Sequence, residues 1–223
     1  VTIRDLQKRL GVNVDGKFGP ASTTALLDRL TNLKAPALTA EDFDKVAHDL
    51  NVPVAIIRAV RKVEAPRGPF DDSGRPSILF ERHVFSRASK HRFDKLVPAL
   101  SGPAYGKGGY GSFAAQYPRL VLACAMDPGA AFSACSWGAF QVLGENAVAL
   151  GYDSAFDMAL ALTASEAAHL DCFVRFVRTN GLEDELRACR PGDPESCIPF
   201  VSRYNGSGFR QFNYHVKLAE AAL

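Results

Sequence analysis

The chain has 223 residues, a formal net charge of +2 and 47% hydrophobic residues. That length supports one well-formed core with a small appendage, and that apolar content excludes a disordered chain. The charge is too small to argue for a nucleic-acid partner, and no apolar run reaches the roughly 18–20 residues of a membrane span.

The charge is uneven. Residues 1–34 hold six Lys/Arg against three Asp, which mildly favours an anionic surface at that end. The start, VTIRDLQKRLG, is amphipathic and lacks the apolar stretch of a secretory signal. Synthesis in the cytoplasm, action elsewhere after release by another route, and a monomeric state are therefore the expectations.

Residues 1–31 read as helix, turn, helix. Ile3, Leu6, Gln7 and Leu10 make the first helical stripe, and VDGKFG makes the turn. Pro20 suits a first helical position, and Ala25, Leu26, Leu27 and Leu30 carry the second stripe. TNLKAPAL (31–38) reads as a linker. Thr39, with Asp42 three residues on, has the spacing of an N-cap and its acidic partner. Pro53 suits the start of the next helix, which the apolar run 52–64 carries to Glu64.

Residues 66–86 change character. DDSG signals a turn, and SILFERHVF contains a β-favouring stretch, so a short hairpin or extended lobe is expected there. The Gly-rich segment SGPAYGKGGYGSF (101–113) lacks the ending and the flanking strand of a phosphate loop. From Phe113 onward the pattern is helical. Asp127-Pro128 reads as N-cap and first residue, Thr163 with Glu166 as a capping box, and Asn180-Gly181 as a helix stop. The fold class expected is mainly α, with one small β lobe.

The cysteines are Cys124, Cys135, Cys172, Cys189 and Cys197. None falls in a C-x-x-C pair or at zinc spacing, so no metal or organic cofactor is expected. Cys189 and Cys197 flank RPGDPES, where an oxidising compartment could bridge them.

Two carboxylates stand out. Ile57, Val60 and Glu64 share one helical face, so Glu64 lies on a buried stripe at a helix C-terminus. Desolvation and the helix dipole both disfavour its charge, which raises its pKa toward the range of a general acid. Glu81 follows 17 positions later, beyond the expected hairpin. A helix ending in one acid and a hairpin carrying another would set two carboxyls across a cleft, as glycoside hydrolysis requires. A salt bridge to a neighbouring Arg is the plainer account of Glu81. His83 follows Glu81, but nothing sets it against a nucleophile.

IIRAVRKVEA, GRPSILFERHVFSR, SWGAFQVLGEN and RYNGSGFRQFNYHVKLA together resemble the phage-type N-acetylmuramidase domain of modular endolysins. Four motifs in order, over roughly residues 40–223, carry the resemblance. It implies a lysozyme-like fold, with Glu64 as the catalytic acid and Glu81 as the second important carboxylate. The substrate implied is the β-1,4 bond between N-acetylmuramic acid and N-acetylglucosamine in peptidoglycan glycan strands. The S-W-G-x-F-Q segment also resembles an element of goose-type lysozymes and lytic transglycosylases. A lytic transglycosylase and a catalytically silent wall-binding protein stay open as alternatives.

The same motifs suggest a sugar-binding groove. Ser136, Trp137 and Gln141 offer a hydroxyl, an indole face and an amide, and Tyr204 and Asn205 would point polar groups at the cleft. Core packing of Trp137 and helix capping by Asn205 are the plainer accounts, and Tyr214 reads as core. Residues 5–30 resemble the peptidoglycan-binding repeat, through LQ and DG-x-FGP. Asp15, Gly16, Phe18 and Gly19 are its matching positions, although turn geometry explains them better than ligand contact. The usual repeat has three helices and this chain has room for two. The expected division is a truncated peptidoglycan-binding-like segment over 1–34 and a catalytic domain over 35–223.

Overall fold

The computed structural model describes residues 1–102 and 109–223, so part of the Gly-rich segment 101–113 lies outside the described residues. Helices α1 (Ile3–Leu10) and α2 (Pro20–Arg29) form the N-terminal hairpin. Thr2 and Asp5 cap α1 reciprocally, and Pro20 opens α2. Asp15, Gly16 and Lys17 are tied to the buried Gln7. Its Nε2 donates to Asp15 Oδ1 at 2.8 Å and to the Lys17 carbonyl, and its Oε1 accepts from the Gly16 N–H. Phe18 packs on the core, and Gly19 is the N-cap of α2. These four positions are therefore occupied in building the turn.

The hairpin is docked on the rest of the molecule. Leu6, Leu26 and Leu30 are fully buried in the common core. Arg9 pairs with Asp157 and lies over the Phe156 ring. The irregular segment 31–38 is anchored as well. The Asn32 backbone N–H donates to the Gly74 carbonyl, and its side chain donates to the Thr163 carbonyl.

α3 (Ala40–Leu50) begins at the expected capping box of Thr39 and Asp42. α4 (Val54–Glu64) begins after Pro53 and ends at Glu64. The lobe expected over 66–86 is present as a tight turn with one bridge, followed by a short strand. The turn at 71–74 closes a bridge between Phe70 and Pro76. The strand that follows, β1 (Ile78–Phe80), pairs with a distant strand, β2 (Cys135–Trp137). Glu81 is the residue just before α5 (Arg82–Ala88). β2 pairs in turn with β3 (Val142–Leu143), giving a three-stranded antiparallel sheet in the order β1-β2-β3. The β lobe exists, but two of its strands come from the stretch that reads as helical.

α6 (Gln116–Cys124) is followed by α7 (Pro128–Ser133), which Asp127 caps as expected. α8 (Ala155–Leu162) and α9 (Glu166–Thr179) come next. Ser165, not Thr163, caps α9, because Ser165 accepts from the Ala168 N–H while the Thr163 hydroxyl donates back to Ala159. α10 (Glu183–Ala188), α11 (Pro194–Tyr204) and α12 (Tyr214–Ala221) complete the chain. The mainly-α expectation holds, and no described helix is long and apolar enough to cross a membrane.

All five cysteines are buried and free. The Cys189 thiol donates to the Glu185 carbonyl and the Cys197 thiol to the Asp193 carbonyl.

Candidate active site

Glu64 is held at the end of α4 by the burial of Val60 and Ile57, one and two turns back. α12 and the 3-10 turn Gly138–Phe140 pack against this helix. The Glu64 side chain enters a narrow recess lined by Val60, Val63, Phe200, Val201, Asn205 and Tyr214. Loss of water in these apolar surroundings pushes its pKa up to about 7, and a hydrogen bond from Asn205 opposes the rise. That bond runs from Asn205 Nδ2 to Glu64 Oε1 at 2.8 Å. A carboxyl poised at this value keeps a transferable proton near neutral pH.

Glu81 occupies a second buried position. Its N–H donates to the Ala134 carbonyl at 2.7 Å, which fixes the residue at the end of β1. Its side chain is 13% exposed. Burial pushes this carboxyl up to about 7 too, against a hydrogen bond from Tyr110. His83 Nδ1 lies 3.5 Å from Glu81 Oε2. Burial, and to a lesser extent the nearby Arg87, lower the His83 pKa.

The two acids come from different elements, Glu64 from the end of α4 and Glu81 from the residue before α5. In the β1–β2 register Ile78 faces Trp137, beside the Gly138 turn that packs on α4. Glu81 comes after Phe80, which faces Cys135 at the other end of the pair. Glu81 therefore stands at the end of the strand pair away from that turn.

The other residues divide. Trp137 is 1% exposed, stacks on Phe132 and donates its indole N–H to the Phe132 carbonyl. It belongs to the core and offers no ring face to a sugar, which corrects the sequence expectation. Ser136 is buried in the central strand. Gln141 takes a left-handed backbone, and its amide nitrogen donates to the Gly138 and Ser77 carbonyls. Tyr204 donates its hydroxyl to the Phe140 carbonyl at 2.5 Å and packs among Phe173, Phe176 and Phe200. Of the five, Asn205 alone is seen to touch a catalytic candidate directly.

Sequence reasoning assigns Tyr214 to the core and passes over His169. Tyr214 lines the recess, and its i, i+4 spacing to Leu218, another lining residue, is the signal that would have placed it there. His169 is buried beneath the Gly138 turn. Its Nδ1 accepts from the Ala139 N–H and its Nε2 donates to the Leu162 carbonyl. Gly138 has φ +71°, and a Cβ there would stand 2.7 Å from His169 Nδ1. The turn that carries Phe140 is thus fixed by a glycine and a neutral histidine.

The family model of the N-acetylmuramidases matches residues 53–222. The chain belongs to the N-acetylmuramidase family. Among solved structures, the crystal structure of the Burkholderia AP3 phage endolysin is similar to this muramidase along almost its whole length. The match covers 99% of this chain and 93% of that one, at 31% identity and a TM-score of 0.72. A search of curated proteins finds no match. The muramidase match spans Glu64, Glu81, the sheet and α11, so both carboxyls fall within the family's own domain.

Proposed function

We propose that this chain is an endolysin-type muramidase that cleaves the β-1,4 bond between N-acetylmuramic acid and N-acetylglucosamine, with Glu64 as general acid. The observation that carries this reading is the Glu64 carboxyl: desolvated, held by Asn205, and brought to a pKa of about 7. Glu64 gives its proton to the glycosidic oxygen as the bond to the muramic acid carbon breaks. The recess is narrow and apolar, which suits holding the acid while the glycan strand lies across its mouth. The bacterial cell wall is the place of action.

Glu81 serves as the second carboxylate, supporting the oxocarbenium-like state or activating water. Its burial and raised pKa support a chemical role. Residues 1–34 are a truncated peptidoglycan-binding-like segment, and residues 35–223 are the catalytic domain. The packing of Leu6, Leu26 and Leu30 into the common core supports reading the segment as a cap on that domain.

Mass spectrometry of purified peptidoglycan digested by the wild type tests the reaction. Reducing muramic acid ends are expected. Ends of the 1,6-anhydro type would make the enzyme a lytic transglycosylase, and intact glycan would leave a wall-binding protein.

A further inference from the structure

We infer that Asn205 is a positioning residue for the acid: the end of α11 is a braced arm that presents its amide N–H to Glu64 rather than to substrate. This inference rests on the proposed role of Glu64.

Three consecutive residues make the brace. The Arg203 guanidinium donates to the carbonyls of Asn180 and Gly181 and pairs with Glu185, tying the arm to α9 and α10. Tyr204 hooks the Phe140 carbonyl on the turn that Gly138 and His169 fix. Asn205 then bonds Glu64 Oε1 at 2.8 Å. Gly206, at φ +73°, lets the chain leave the helix immediately afterwards. The amide is thus held from both sides before any substrate arrives, which is the condition for electrostatic preorganisation.

The chemical consequence follows from the direction of the bond. With Oε1 accepting from Asn205, Oε2 carries the transferable proton. When the Oε2–H bond breaks and the proton joins the glycosidic oxygen, negative charge spreads over both carboxyl oxygens. A donor already aimed at Oε1 is then strengthened, because bonds to charged acceptors are about twice as strong as neutral ones. Asn205 therefore stabilises the product form of the acid more than its starting form.

Among the described residues, the other titratable groups facing Glu64 are phenols. Tyr204 from α11 lies within electrostatic reach of Glu64, Tyr214 from α12 lines the recess, and the Gly138–Phe140 turn contributes no charged side chain. Tyr204 is held well above its ordinary pKa by burial and stays neutral.

The experiment compares wild type, Asn205→Ala, Asn205→Asp and Glu64→Gln on purified peptidoglycan across pH. It also includes a carbon-13 NMR titration of the Glu64 carboxyl in the first three. Loss of the donor should lower kcat at least about tenfold with KM within about twofold. The basic limb of kcat and the NMR titration of Glu64 should both move up by about one pH unit. Asn205→Asp should move them further, because a like charge replaces the donor. An increase in KM with an unmoved basic limb and an unmoved Glu64 titration would overturn the inference and make Asn205 a sugar ligand. Retained activity in Glu64→Gln would sink the acid assignment instead. The NMR titration still reads the Asn205 bond in that case, and in any variant whose activity suffers for other reasons.

Discussion

Glu64 and Glu81 are carboxyls that folding takes out of water, and both acquire pKa values of about 7. Such groups bind more protons in the folded state than in the unfolded state between their ordinary and raised values. Their contribution to stability is full below the ordinary value and is lost as pH rises through the folded one. The Glu64→Gln variant has no such proton linkage at that position. Its Tm should therefore fall less than that of the wild type between about pH 5 and about pH 8. Thermal unfolding followed by circular dichroism checks this, and parallel curves would mean that Glu64 is well hydrated when folded. The position of Glu64 was legible in the sequence, because a helical stripe ending before Pro and Gly is a local pattern. The partnership with Asn205 was not, since 141 positions separate the two residues.

The elements show the same division between local and distant causes. Caps at Thr39 and Asp127 and the helix start at Pro20 were readable because each signal lies within a few residues of its effect. The sheet was not readable. Its strands are two or three residues long, and β1 finds its partner more than fifty positions away. Trp137 could pass for a sugar platform in the sequence because its burial depends on that pairing and on Phe132. The Thr163–Glu166 spacing misled for a different reason: Ser165, adjacent to the helix, competes for the same cap. The α11 arm provides a test at this scale. Tyr204→Phe leaves the Phe140 carbonyl without its hydroxyl donor, which should cost about 1–3 kcal/mol in urea unfolding. It should also lower kcat by loosening Asn205. Unchanged stability with unchanged kcat would mean that the arm needs no hook.

At the scale of the whole molecule, the N-terminal hairpin is joined to the rest by burial, an ion pair and the anchored segment 31–38. Leu6, Leu26 and Leu30 share the core with the catalytic elements, and Arg9 reaches Asp157. A hairpin of about thirty residues lacks the buried surface to fold alone. Calorimetry of the full chain should therefore show one cooperative transition, with the hairpin melting together with the sheet and α4. Two separated transitions would instead make residues 1–34 an independent wall-binding unit.

The central claim is that Glu64 supplies the proton that breaks the glycan. Release of new reducing ends from purified peptidoglycan, measured for wild type and Glu64→Gln at the same pH, tests it most directly. Removing a general acid should slow release by at least about a hundredfold, while the variant keeps the wild-type circular dichroism spectrum. Release within a few-fold of wild type would contradict the assignment and move the chemistry to Glu81.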